Sequence, residues 1–179
     1  MARVSYLTAE TAPPAVASTH AKMPALHVFQ LLVHAETAYR PWLKLGGAIL
    51  SDLAIDPLLR ELVILQVGRL AARYEWEQHV PIAKAAGATD GQIEALDRGD
   101  LDPFDAGQRA ALVFTRAFVR DGEVTDEEYA ALAAEFSERE VVEIALTAGH
   151  YLGLARMMTA LRIDSDPAAG PDGLPAARL

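Results

Sequence analysis

The chain has 179 residues, 51% of them hydrophobic, and a formal net charge of −9, a size at which one domain can bury a substantial core. No apolar run nears the roughly 18 residues of a membrane span, Met1 to Ala21 lacks the basic start and apolar core of a secretion signal, and the acidic balance argues against a nucleic-acid surface. There is no cysteine, so a resident thiol can neither attack a peroxide nor form a catalytic disulfide.

Residues 1–24, with Pro13-Pro14, Pro24 and several Ala, Ser and Thr, read as an extended arm, weakly structured or lying on a neighbouring subunit. From Leu26 the spacing Leu26, Phe29, Leu32, Val33 has helical period, and Thr37 to Pro41 breaks it. Trp42, Leu43, Leu45, Ile49 and Leu50 continue an apolar face to Ser51. Asp56-Pro57 is a helix start, an N-cap acid followed by proline at the first helical position. The helix it opens carries Leu58, Leu59, Leu62, Val63, Leu65 and Val67, apolar nearly all round, which marks it as central.

Tyr74 to Ala86 is the next helix, stopped by Gly87. Pro81 inside it cannot donate to the Glu77 carbonyl, which predicts a kink just after His79. Thr89 caps a short helix to about Arg98, and Asp105 to Val119 is amphipathic. Thr125-x-x-Glu128 and Ser137-x-x-Glu140 are capping boxes opening two more helices, the last reaching about Leu161. No alternating β-branched run or Asn-Gly hairpin suggests a strand. The expectation is an all-α fold, a single-domain bundle of seven or eight helices over 25–163, between the 1–24 arm and a flexible tail over 164–179.

Within Arg60 to Ala83, acid and base side chains fall inside an apolar helical pattern. Glu75 and His79 are four residues apart and project from one helix face. Taken alone they are equally an exposed i,i+4 pair. As a site, His79 would exchange protons near neutral pH, with the Glu75 carboxylate fixing its tautomer and raising its basicity. Glu61 lies fourteen residues before Glu75, roughly 21 Å along one unbroken helix. It joins the pair only if the chain turns back between about Gly68 and Tyr74, and otherwise it is a first-turn acid favoured by the helix N-terminus.

The same stretch resembles the carboxymuconolactone decarboxylase / alkylhydroperoxidase D-like superfamily. Its redox members carry Cys-x-x-Cys, then His four residues on, with a Glu on the preceding helix. Against that pattern Ala72 and Glu75 stand at the cysteine positions, His79 at the His, and Glu61 close to the Glu. The decarboxylase branch lacks cysteines and places a Glu four residues before the His, as Glu75 stands to His79. The likeness runs from about Pro24 to Ile163.

The resemblance implies a cytoplasmic, cofactor-free acid/base enzyme acting on a small organic acid or lactone by decarboxylation, isomerisation or related proton transfer. His79 would move the proton, Glu75 would orient it, and Glu61 would relay. It also implies a homo-oligomer, a trimer or hexamer, with neither nucleic acid nor membrane as partner. Tyr74, Trp76, Trp42 and Phe29 are simplest as core, with some lining a pocket. Arg69, Arg73 and Arg156 are candidates to bind a substrate carboxylate bidentately. We take Tyr74, Trp76, Arg73 and His150 as candidate substrate contacts, although a partly buried His150 satisfied by a neighbour is the plainer account. A metal site is not expected, since Glu75 and His79 lack a third ligand. The alternative is a peroxidase-related protein without thiol chemistry that binds a ligand or serves as a scaffold.

Overall fold

The computed structural model describes residues 1–170. Among them are nine α-helices and no strand: α1 (Pro14–His20), α2 (His27–Leu32), α3 (Glu36–Ser51), α4 (Pro57–Ala71), α5 (Arg73–Ala85), α6 (Asp90–Arg98), α7 (Ala106–Arg120), α8 (Asp126–Glu135) and α9 (Glu138–Leu161). No helix among the described residues is long and apolar enough to cross a membrane.

The starts follow their local chemistry. Asp56 accepts from the Leu58 and Leu59 amides, with Pro57 at the first helical position of α4. Thr89, Asp105, Thr125 and Ser137 each close a capping box with the Gln or Glu three residues on. Gly87 and Gly99 take positive φ where α5 and α6 stop.

α4 is the centre, buried continuously from Glu61 to Gly68 and packed against α5, α7 and α9. Ile64, Val63 and Val67 enter one apolar cluster with Ile144, Ala148 and Tyr151 of α9. Leu62 and Leu65 enter another with Trp76, Leu96 and Leu112. Truncating any of these large side chains would cost about 2–5 kcal/mol.

One residue, Ala72, separates α4 from α5, and its extended backbone (φ −159°, ψ 114°) reverses the chain. Gly68 makes the return tight. A Cβ there would stand 2.7 Å from the Trp76 amide nitrogen, inside any real contact distance. The antiparallel α4–α5 pair that results carries every ionisable group of the site's centre.

Two sequence expectations change. The helix count is nine because Pro13-Pro14 starts a helix: Pro14 is the first residue of α1, a position that suits proline. Residues 1–24 are therefore not an extended arm. α1 buries Val16, Thr19 and His20, and His20 bridges the Tyr39 hydroxyl (2.8 Å) and the Leu7 carbonyl (2.9 Å). The expected break over Thr37 to Pro41 is instead helix, since Pro41 lies inside α3, and the interruption falls at Val33 to Ala35.

Residues 164–170 form no regular structure but are tied to the body. Asp166 accepts from the Tyr74 hydroxyl (2.6 Å) and the His27 amide (2.8 Å), and the Ala169 amide donates to Gln78 (3.0 Å). The remainder of the expected tail lies outside the described residues.

Candidate active site

Glu61 on α4 and His79 on α5 meet inside the protein. His79 Nδ1 lies 2.8 Å from Glu61 Oε2, and both side chains are buried. The other Glu61 oxygen, Oε1, accepts from Arg60 through Nε and a terminal nitrogen, each at 3.0 Å. Both oxygens of this carboxylate are thus engaged by cationic or hydrogen-bonding partners, which is what makes a buried ion tolerable.

Glu75, one turn before His79, approaches the opposite ring nitrogen: its Oε2 is 3.7 Å from Nε2. Its other oxygen, Oε1, is buried and has no hydrogen-bond partner among the described residues. The three groups form a line, Glu61–His79–Glu75. Glu61 is closed off by Arg60, and Glu75 borders a cavity.

The charges follow from these surroundings. Burial works to raise the Glu61 carboxyl, but His79 and Arg60 beside it outweigh burial and hold it below the ordinary carboxylate value. For His79, burial opposes the charged ring, and the Glu61 carboxylate, with Glu75 on the far side, overcomes it and raises the pKa. Glu75 is pushed up to about 7, chiefly by burial, with His79 acting in the opposite sense. Each of the pair thus holds a proton more strongly than it would in water, and the two titrate as a unit in which a proton resides on His79 Nε2 or on the Glu75 carboxyl. With that proton on Glu75, Nε2 is a free base beside a carboxylic acid. With it on His79, an imidazolium lies between two carboxylates.

The cavity beside Glu75 has a volume of about 70 Å³ and is lined by α2, α3, α5 and α9, with Phe29, Trp42, Tyr74, Gln78, His150 and Tyr151 among its walls. No lysine or arginine lines it. Tyr151 sets its ring edge-on against His79, centroids 5.0 Å apart. His150 stacks on Trp42 at 5.0 Å, and burial pushes its pKa down to about 4, so its ring is neutral at neutral pH. Burial first, then the hydrogen bond to Asp166, raises the Tyr74 phenol, which stays protonated and donates to that carboxylate.

Of the residues singled out in the sequence, Glu61, Glu75, His79, Tyr74 and His150 come together here. Arg73 and Trp76 do not. Arg73 is exposed, paired to Asp97 (2.8 Å) and near Glu77 (3.9 Å), with its guanidinium over the Trp76 ring. Trp76 is buried in the cluster of Leu62, Leu65 and Leu96. The reason is helical phase: 74, 75, 78 and 79 share the cavity face of α5, and 73, 76, 77 and 80 fall outside it.

For the same reason Gln78 is buried in the wall and bonded to the carbonyls of Asp166 and Pro167. The arginines expected to meet a carboxylate are elsewhere; Arg69 bonds Gln66, and Arg156 is exposed. Sequence reading passed over Tyr151 and the part Arg60 takes. Arg60's adjacency to Glu61 was the available signal; for Tyr151 only the packing of α9 on α4 and α5 decides it. Among the described residues no group of three His, Asp or Glu side chains is placed to hold a metal.

The Carboxymuconolactone decarboxylase family matches residues 36–117, the span holding α3 to most of α7 and with it Glu61, Glu75 and His79. No curated protein matches the chain. Among solved structures it is similar to the alkylhydroperoxidase AhpD core of an uncharacterized peroxidase-related protein from Ralstonia eutropha JMP134, with TM-score 0.75, 18% identity, and 92% of each chain covered. It is also similar to an uncharacterized peroxidase-related protein from Silicibacter sp. TM1040, with TM-score 0.69, 18% identity, and coverage of 78% of this chain and 76% of that one. A protein of unknown function from Agrobacterium tumefaciens gives TM-score 0.65 at 18% identity, covering 74% of this chain and 95% of its own. At such identity the likeness is one of fold, and it agrees with the all-helical AhpD-like architecture.

Proposed function

From a carboxymuconolactone decarboxylase-type segment carried on an AhpD-like fold, we propose an acid/base enzyme that moves protons on a small organic acid or lactone. The observation that carries this reading is the buried line Glu61–His79–Glu75, ending at a cavity with an unpartnered carboxyl oxygen. With the shared proton on Glu75, His79 Nε2 removes a proton from the carbon beside a carbonyl while Glu75 donates to the carbonyl oxygen, giving the enol. Glu61, hydrogen-bonded to Nδ1, stabilises the imidazolium so formed. Returning a proton to a different carbon completes an isomerisation. In a decarboxylation, the pair of the breaking C–C bond enters the enol system as carbon dioxide leaves, and His79 supplies the proton to carbon.

The test is proton NMR of a panel of small keto, unsaturated and lactone compounds in D₂O, with wild type, His79→Ala and His79→Gln. Deuterium entering one carbon, or carbon dioxide release, with wild type alone supports the reading. Equal exchange by all three proteins removes His79 from the mechanism.

A second reading is a ligand-binding protein that keeps the fold without turnover. The apolar cavity and the absence of a resident cysteine favour it over a thiol peroxidase. Ligand-induced thermal shifts unchanged between wild type and His79→Gln, with no exchange in either, would point to it.

We also carry forward assembly into a homo-oligomer. Val142 and Leu146, one turn apart on α9, are exposed apolar side chains that support it.

A further inference from the structure

We propose that the cavity beside Glu75 binds a small uncharged carbonyl compound and rejects its carboxylate counterpart. This narrows the acid/base reading to uncharged carbonyl substrates such as lactones and ketones, sets its organic acids and the decarboxylation aside, and rests on that reading for the chemistry.

Three observations carry it. The first is the donor set. Glu75 Oε1 is buried without a hydrogen-bond partner among the described residues, and the His150 ring, stacked on Trp42, lines the same cavity. Protonated Glu75 and neutral His150 are two uncharged donors facing an apolar space, the complement of a carbonyl oxygen.

The second is charge. No lysine or arginine lines the cavity. The nearby cation, Arg60, is committed to Glu61 Oε1, and any positive charge on His79 is balanced by Glu61 Oε2. An entering carboxylate would meet the Glu75 carboxyl with no free counter-charge, in a site that strips its water. Such sites protonate their anions or exclude them.

The third is size and shape. A cavity of about 70 Å³ is about half the ~150 Å³ cavity that holds benzene. A ketone of roughly four or five heavy atoms would lie among Trp42, Phe29 and Tyr151, partly in the cavity's open mouth.

The experiment uses pairs of equal shape and different charge: acetone against acetate, and butanone against propionate. The full chain has two tryptophans, Trp42 in the cavity wall and Trp76 outside it, so the two indole N–H signals in a proton–nitrogen correlation spectrum give a site reporter and an internal control. The expected result is a saturable shift of the Trp42 signal with the ketones, a Trp76 signal that stays in place, and carboxylate binding weaker by about tenfold or more. Glu75→Gln, whose amide still donates, should keep the preference for ketones; Glu75→Ala should weaken ketone binding. Carboxylates binding as well as the ketones would overturn the proposal, as would a Trp42 signal that no ketone moves.

Deuterium exchange of the ketone α-protons in the same samples separates this from the proposed function. Ketone-selective binding without exchange would sink the acid/base chemistry and leave the site's selectivity standing. Exchange by wild type that Glu75→Gln slows while still binding supports both.

Discussion

His79 Nδ1 lies 2.8 Å from Glu61 Oε2 although eighteen positions separate the two in the chain, whereas Glu75, only four residues away on the same helix, stands at 3.7 Å from Nε2. The distant partner holds the ring, and the near one faces the cavity. In the proposed acid/base reading, orientation of the imidazole belongs to Glu61, and Glu75 is the proton donor to the carbonyl oxygen.

Replacing Glu61 by Gln tests that division. The amide keeps the shape but removes the charge that raises His79 and leaves Arg60 unbalanced. Proton exchange should fall by about 10²–10⁴-fold, the usual range for losing general acid–base help. Stability should drop by about 3 kcal/mol, as when one member of a buried pair is removed. Urea titration and the NMR exchange assay read the two effects separately; an unchanged exchange rate would contradict the assignment.

Glu75 makes stability depend on pH in a stated direction. Its folded value, about 7, lies above its ordinary 4.5. A group raised on folding contributes most below its unfolded value, and the contribution is lost as pH rises through the folded one. His79, also raised, acts in the same sense. Between about pH 5 and pH 8 the protein should lose up to about 3 kcal/mol, and Glu75→Gln should flatten the curve. Melting temperature measured across that range checks the slope; stability rising with pH would be the opposite sign.

Exchange activity should fall at the alkaline side for the same reason. Once the shared proton leaves the His79–Glu75 pair, Nε2 is still a base but the acid that meets the carbonyl oxygen is gone. Glu75→Gln, which cannot ionise, should show a lower rate with that alkaline limb removed.

Gly68→Ala tests the α4–α5 contact. The added methyl would sit 2.7 Å from the Trp76 nitrogen and 3.1 Å from its Cα, backbone atoms that cannot swing aside. α5 must move out, at a cost of about 1–3 kcal/mol, and His79 moves with it. The measurement is the Trp76 indole signal together with the exchange rate. Both should change, although Gly68 touches no cavity.

Asp166→Ala tests whether the segment after α9 is held down. It removes the acceptor of the Tyr74 hydroxyl and of the His27 amide, so amide hydrogen exchange over 164–170 should accelerate, and stability should fall by about 1–3 kcal/mol. Unchanged protection there would show that the remaining bonds, from Gln78 and between Tyr6 and Asp164, secure the segment.

Local chemistry wrote much of this protein into its sequence. Helix starts at Asp56-Pro57, Thr89, Thr125 and Ser137 depend on side-chain to backbone bonds within a few residues, and the stop at Gly87 on its backbone freedom, so the order of elements from α4 onward was legible from the chain alone, whereas α1 was not. So was the centrality of α4, because an all-round apolar helix can only be buried. The pairing of Glu75 with His79 was legible as a helical spacing, and the lack of cysteine ruled out a resident catalytic thiol before any fold was known.

What folding alone decided is how the helices face each other. Spacing placed Glu61 beyond reach of His79 on a straight helix; the reversal at Ala72, allowed by the missing Cβ of Gly68, brings them to hydrogen-bond distance. The face that α5 turns to the cavity selects Tyr74 and Gln78 and leaves Arg73 and Trp76 out, and α9, packed across α4, supplies Tyr151 and His150. Sequence periodicity states which residues share a face of one helix. Which face meets which neighbour is a property of packing, and it is packing that encloses Glu75, raises its pKa and leaves one of its oxygens waiting for a partner.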